Sequence, residues 1–261
     1  MTDISKNHPR YNSLMARNKL VEASNNGLLA QSAMIAHGRG EAFDYLLGEK
    51  SSESAKLAIK EVAHRLRKSK SPIISVNGNT TVLAGEGLIR VAAVLNCPIE
   101  INLYYRTEER ILKLLKLLNE QKQKVAKELP PEGWEEKWSK SVQSVRILGK
   151  EGDGRIRGLD GPRAICSIEG IEKASTILVP LEDGDRCEAL IALGKEVLVI
   201  DLNPLSRTAR MASVTIVDEV SRVVDVLLKE ILHEKYERES WDNEFVLRDA
   251  LEIISNSMNI I

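Results

Sequence analysis

The chain has 261 residues, 43% of them hydrophobic and 29% charged. At roughly 100–200 residues per domain it makes one large domain or two small ones, well above the size at which a core needs a metal or disulfide staple. Lys plus Arg total 37 and Asp plus Glu total 38, for a net charge of −1. That balance excludes a general polyanion binder but leaves room for one local basic pocket.

Cys97, Cys166 and Cys187 are odd in number and form no C-x-x-C pair, so a secreted disulfide framework is not expected. The histidines, His8, His37, His64 and His233, have no zinc-site spacing. Residues 1–10 are polar, so no signal peptide is expected. No run approaches about 18 consecutive apolar residues, so no membrane span is expected. The default reading is a cytoplasmic protein that binds neither membrane nor nucleic acid.

Residues 9–69 read as helical. Ala55, Ala58, Ile59, Val62, Ala63 and Leu66 form one stripe, with cap-like Ser51, Ser52 and Glu53 before it and Arg65, Arg67, Lys68 and Lys70 at its end. Pro72 stops that helix. Ile73 to Val76 reads as a buried strand closed by Asn77, Gly78 and Asn79. A helix through Leu83, Leu88, Val91 and Leu95 follows, then a strand from Ile99 to Tyr104 and an amphipathic helix from Thr107 to about Lys127. Pro130 and Pro131 break the pattern. Trp134 and Trp138, four residues apart, read as packing. Val142 to Leu148 is expected to be a strand and Gly149 to Gly170 a loop rich in glycine and arginine. Strands are expected at Thr176–Leu181, Val197–Ile200 and Val214–Val217, with a short helix at Cys187–Leu193. Two amphipathic segments close the chain, one through Val220, Val224 and Ile231, the other through Leu247, Leu251 and Ile254.

Short apolar runs alternating with helical periods define an α/β fold. The expectation is a Rossmann-like, doubly wound, mostly parallel sheet of about six strands with a helical N-terminal layer. Three segments are expected within one compact domain: 1–70, the helical layer; 71–235, the nucleotide-binding core; and 236–261, a C-terminal helical segment. Ligands of such a sheet bind beyond the carboxyl ends of its strands. That directs attention to the loops 77–81, 104–107, 149–170, 182–186 and 201–210.

Several catalytic signatures are absent. There is no Walker A loop, no G-x-G-x-x-G between strand and helix, no G-x-S-x-G and no Ser or Cys with an evident His partner. What remains are polar clusters at strand ends. Asp201, Leu202, Asn203, Ser206 and Arg207, with Arg210, offer a carboxylate and amide for ribose or base and guanidinium forks for phosphate; the alternative is a plain turn. Glu182, Asp183, Gly184, Asp185 and Arg186 suit a cation held through substrate phosphates, or else a helix cap. Arg39 lies between Gly38 and Gly40, which would let a ligand approach closely; Gly38 as a helix C-cap is the alternative. Asn77, Gly78 and Asn79 open a helix as an anion site does, or form an ordinary turn. Arg155, Arg157 and Arg163 either grip a second phosphate or are solvated.

Six ordered blocks carry a resemblance: His8-Pro9-Arg10-Tyr11; the run from Ala36 to Tyr45 around His37-Gly38-Arg39-Gly40-Glu41; Ser75-Val76-Asn77-Gly78-Asn79; Asn102 to Arg110; Val179 to Arg186; and Asp201 to Arg207. Together they resemble the archaeal phosphopantothenate synthetases, the 4-phosphopantoate–β-alanine ligases of coenzyme A synthesis. The resemblance implies an AMP-forming acid–amino-acid ligase. ATP, with Mg²⁺, would activate 4-phosphopantoate as an acyl-adenylate with release of pyrophosphate. The β-alanine amine would then displace AMP to give 4′-phosphopantothenate. It implies a homodimer and a nucleotide site of Arg17, Arg39, Asp183, Gly184, Asp185, Arg186, Asp201, Leu202, Asn203, Ser206 and Arg207. Arg39, Asp183 and Asp185 are the expected catalytic residues, the two aspartates also meeting the metal through substrate phosphates. Our own inference adds Asn77, Gly78, Asn79, Arg106, Arg155 and Arg157 for the acid substrate. A nucleotide-binding regulatory module without turnover is the alternative; a dehydrogenase is opposed by the missing glycine fingerprint.

Overall fold

The structure is a computed structural model that describes residues 4–180, 183–233 and 240–257. Leu181, Glu182 and the expected boundary at 235/236 lie outside the described residues. Strands β1 (Pro72–Val76), β2 (Ile99–Ile101) and β3 (Ile147–Leu148) come first in the chain, β4 (Gly154–Arg155) and β5 (Ile165–Cys166) next, and β6 (Thr176–Pro180), β7 (Glu196–Ile200) and β8 (Val214–Ile216) last. Six of them form one sheet in the order β3-β2-β1-β6-β7-β8. Every neighbouring pair in it is parallel. Counting only these six along the chain, the order is 3-2-1-4-5-6, the doubly wound order of Rossmann-like sheets. β4 and β5 form a separate antiparallel pair.

The strands read as unbroken apolar runs because both faces of the sheet are covered. Ile74, Val76, Leu178, Leu198 and Ile200 enter one core, and their alternates Ile73, Ile177, Val179, Val197 and Val199 enter the other. Helices α1 (Tyr11–Asn25) and α2 (Gln31–Leu46) precede α3 (Glu53–Lys68). With α4 (Gly78–Leu95), α5 (Glu108–Val125), α6 (Trp138–Ser144) and α9 (Val220–Leu232), α3 covers the first face. On the second face lie α7 (Gly184–Ala192) and the segment around Ile156 to Ala174. Helix α8 (Arg207–Met211) joins β7 to β8, and α10 (Asn243–Asn256) packs on α3, α8 and β8. Among the described residues no helix is long and apolar enough to cross a membrane.

Local chemistry explains the boundaries. Ser52 accepts a hydrogen bond from the Ala55 amide and starts α3, and Thr107 does the same for α5 through Arg110. Arg65, Arg67 and Lys68 stand in the last turn of α3, where the dipole favours cations.

Several expectations are corrected. The helical stretch 9–69 is three helices, and Gly38 lies inside α2 rather than capping it. Val142 to Ser144 belong to α6 and not to a strand; Trp138 and Val142 share one buried helical face, and the strand begins only at Ile147. β2 ends at Ile101, so Tyr104 stands in an exposed turn. The loop 149–170 contains the β4–β5 pair.

Gly149, directly after β3, has φ +117, and a Cβ there would lie 2.6 Å from the Ile101 carbonyl oxygen. Backbone strain and a clash with a neighbouring strand each cost about 1–3 kcal/mol. Gly149→Ala is therefore expected to lose about 2–4 kcal/mol, read as a lower urea midpoint at unchanged slope. A midpoint equal to that of the parent would show that the end of β3 is free to shift.

Candidate active site

β1 and β6 lie side by side, with Ile74 opposite Leu178. Beyond their carboxyl ends the chain departs to opposite faces, through Asn77 into α4 and through Asp183 into α7. This is the switch point of the sheet, where ligands of such folds bind. A crevice of about 90 Å³ opens there, lined by Ser75, Asn77, Asn102, Tyr104, Arg163, Asp183 and Arg186 among others. A wider cavity of about 370 Å³ adjoins it, sharing Asn77, Tyr104 and Asp183 and adding Gly78, Asn79, Arg39 and Arg110.

The crevice floor is a buried polar tier. Arg186, only 4% exposed, donates to Ser75 Oγ at 3.0 Å and to Asn102 Oδ1. Asn102 Nδ2 in turn donates to the Ile165 carbonyl at 3.1 Å. Beneath them Glu100 is fully buried in β2, its two carboxylate oxygens accepting the amides of Ser167 (2.9 Å) and Ile171 (2.8 Å). Burial pushes its pKa up to about 7, against the opposing pull of those two amides and of Arg186 and Arg106.

The rim is a chain of ion pairs. Arg163 pairs with Asp183 and with Asp185, both at 2.8 Å, and its guanidinium lies 5.3 Å over the Tyr104 ring. Asp185 also meets Arg207 at 2.7 Å, and Arg207 meets Glu188 at 2.7 Å. Hydrogen bonds from Arg207 and Arg163 hold the Asp185 carboxyl below its ordinary pKa. Gly184 is required here, since a Cβ would sit 2.9 Å from Arg207 Cβ.

The structure brings some expected residues together and sets others apart. Asn77, Gly78, Asn79, Arg39, Asp183 and Arg186 line the two cavities. Asn77 also caps α4 through the Thr80 amide, and Asn79 donates to the Ala33 carbonyl at 2.9 Å. Arg17 is exposed on α1 and pairs with Glu41 of α2. Asp201 accepts from the Asn203 amide and from Ser206 Oγ, and burial raises its pKa. That turn places Leu202 in a further cavity of about 450 Å³ between α1, α2 and the start of α9, beside Tyr11, Met15 and His37. The His37 Nε2 atom is buried there without a hydrogen-bond partner. Arg106 donates to the carbonyls of Gly149 and Lys150, bracing the start of the loop. Arg155 and Arg157 are exposed and line neither crevice cavity; of the three loop arginines, Arg163 does. Among the described residues no group of three or more His, Cys, Asp or Glu gathers as a metal site. Asp183 and Asp185 are the carboxylates that the start of α7 offers a cation.

Glu100, Asn102 and Tyr104 escaped the sequence reading as individual site residues. One signal was present for Glu100: an acid between Ile99 and Ile101 in a strand buried on both faces.

Fold and site define a doubly wound α/β protein with a crevice rimmed by ion pairs at its switch point. The family model for phosphopantothenate/pantothenate synthetase matches residues 54–261. The 4-phosphopantoate–β-alanine ligase of Thermococcus kodakarensis is 42% identical over 259 residues, covering 96% of this chain and 92% of that protein. Those of Thermococcus onnurineus and Methanosarcina mazei are 41% and 37% identical, the latter over 99% of this chain and 96% of its own. The chain belongs to the phosphopantothenate/pantothenate synthetase family.

Glu100 makes stability depend on pH with a defined sign. Its carboxyl binds a proton more tightly folded than unfolded, so its contribution is full below the unfolded value of 4.5 and is lost as pH rises through about 7. Between pH 5 and 7.5 the parent is expected to lose on the order of 1–3 kcal/mol of unfolding free energy relative to Glu100→Gln. Denaturant unfolding of both proteins at the two pH values measures it. A gap between the two that stays constant with pH would show that Glu100 does not titrate in this window.

Proposed function

We propose that the chain is an ATP-dependent 4-phosphopantoate–β-alanine ligase acting in archaeal coenzyme A synthesis in the cytoplasm. The observation that carries the reading is the pair of adjoining cavities at one switch point, the smaller lined by Arg163 and Arg186 and the larger by Arg39 and Arg110. Two anionic substrates have to meet there without the whole protein becoming basic.

The chemistry asks for positioning and charge stabilisation. The acid carboxylate attacks the α-phosphorus of ATP and pyrophosphate leaves; the β-alanine nitrogen then attacks the acyl carbon, AMP leaves and the amine loses a proton. Negative charge builds on the transferring phosphate, and preorganised guanidinium groups stabilise it most where water is excluded. Arg39 stands at the wider cavity for that role, with Arg17 farther out on α1. Gly184, the Asp185–Arg207 pair and the Asp201–Ser206 turn form the nucleotide side. Asn77, Gly78 and Asn79 form the acid side, where Arg106 holds the loop that carries Arg155 and Arg157. Asp183 and Asp185 fit Mg²⁺, which takes one or two carboxylates plus substrate phosphates and supplies charge neutralisation. The amide-forming step requires a neutral, well-placed amine and no nucleophilic side chain.

The test is pyrophosphate release with ATP, Mg²⁺, β-alanine and either phosphopantoate or pantoate. Release with phosphopantoate is expected; ATP binding without release would favour the regulatory module. Arg39 is exposed, so Arg39→Ala is expected to shift stability by no more than about 0.5 kcal/mol. The same change should lower pyrophosphate release on the order of 10²-fold. Unchanged release in the folded variant would remove Arg39 from the site.

The reading includes a homodimer. Of the 16 residues of α2, only Asp44 is buried. Ile35 is 67% exposed, Tyr45 61% and Leu46 42%, with Val21 of α1 at 44%. A helix with that much uncovered apolar surface suits a second copy related by a two-fold axis. Light scattering is expected to give twice the chain mass, falling to one chain mass in an Ile35→Glu, Tyr45→Glu double variant. A monomer at micromolar concentration would count against it.

A further inference from the structure

The small crevice differs from the wider cavity in size and charge. A single water needs roughly 10–15 Å³ of such a space, so 90 Å³ takes a group of a few heavy atoms and not a nucleoside. Two guanidinium groups and one carboxylate line it, with the Ser75 hydroxyl and the Asn77 and Asn102 amides between them. The excess is positive, and the apolar walls Val76, Val179 and Pro180 limit solvent. Its natural occupant is a compact anion attached to something larger that extends into the wider cavity.

The two arginines are held very differently. Arg186 is locked in the floor by Ser75 and Asn102. Arg163 stands on the short turn Pro162–Ala164 between β4 and β5, its side chain 23% exposed, and its partners are side chains at the mouth. The backbone around it is anchored: Asn102 holds the Ile165 carbonyl, Glu100 holds the Ser167 and Ile171 amides, and the Ile156 amide bonds the Ala164 carbonyl. The turn is therefore fixed while the guanidinium is poised, shared between Asp183 and Asp185 on one side and the Tyr104 face on the other.

We infer that Arg163 is the residue that selects the phosphorylated acid: it exchanges its Asp183 and Asp185 partners for the 4-phosphate of the substrate, seated in the crevice above Arg186. The inference rests on the ligase reading and adds to it the place of the phosphate and the residue that recognises it. The exchange is balanced on both sides. A phosphate dianion offers the planar fork more charge than either carboxylate. Asp185 keeps Arg207, and Asp183 keeps its cap position at the start of α7. An unphosphorylated acid has only the carboxylate that must meet the α-phosphorus of ATP, brings no second anion to the crevice and leaves Arg163 where it is.

Isothermal titration in the absence of nucleotide tests this on the full chain, with phosphopantoate and pantoate as probes and ATP titrated separately. Arg163→Ala is expected to weaken phosphopantoate binding about 10- to 100-fold, to leave pantoate binding unchanged and to leave ATP affinity within about 3-fold. Arg163→Lys, which keeps the charge but loses the fork, should recover part of the loss. Equal phosphopantoate affinity in the parent and in folded Arg163→Ala overturns the inference. So does a loss of ATP affinity as large as the loss of phosphopantoate affinity, which would give the crevice to the nucleotide. If the parent binds phosphopantoate through Arg163 yet releases no pyrophosphate when ATP, Mg²⁺ and β-alanine are added, the ligase reading fails while the phosphate site stands.

Discussion

One buried guanidinium organises the business end of the molecule. Arg186 enters from α7, after β6, and reaches under the crevice to Ser75 of β1 and Asn102 beyond β2. A charge taken out of water at that depth costs several kcal/mol unless its donors are met and an opposite charge is near. Ser75 and Asn102 meet donors, and Glu100 lies close enough to feel the charge. The same Asn102 and Glu100 hold the segment from Ile165 to Ile171. One connected polar tier thus joins both halves of the sheet to the loop that brings Arg163 to the crevice. Such a tier is stiff because each member is costly to leave unpaired.

The layered fold was open to reading because parallel strands covered on both faces are short and wholly apolar, while their helices keep a 3.6-residue period. Boundaries failed where those signals cross. Val142 is β-branched and next to a later strand, yet it stands four residues after Trp138 and packs with α6. β4 and β5 have two residues each, too few for any period to show. The same brevity hid which loop arginine lines the crevice. Arg155 and Arg157 sit on and just after β4 and project to solvent, whereas Arg163 rides the turn that faces α7. Nothing in the spacing of those arginines reports the fold of the hairpin. The strand-end loops themselves were legible, since a doubly wound sheet puts its ligand at the switch point whatever the side chains are.

The N-terminal layer obeys a different rule from the core. α3 is docked by a fully buried apolar stripe, whereas α2 packs through the half-buried Ala33, Met34 and Phe43 and is further tied by charge. Arg222 of α9 grips Asp44, and Glu41 gathers Arg10, Arg17 and Ser13. Ion pairs of this sort fix orientation more than they add stability. Ile35, Tyr45 and Leu46 of α2 face outward, and Arg39 stands beside the wider cavity without being buried. A helix held this way keeps its register against the core while leaving an apolar face exposed.

The near-zero net charge and the cationic site are two sides of one arrangement. Arg163 is partnered by Asp183 and Asp185, Arg207 by Asp185 and Glu188, and Arg17 by Glu41. Each of these three guanidinium groups has a carboxylate standing where a ligand oxygen could stand. Carboxylates in that position lower affinity for every anion, because each must be displaced. They lower it most for weak competitors: a single carboxylate gains little by replacing another, whereas a phosphate dianion or a triphosphate brings more charge and more acceptor oxygens to the same fork. On the proposed ligase reading, that penalty turns a general attraction for anions into a preference for highly charged ones. A site built so needs no excess of basic residues, in keeping with a net charge of −1.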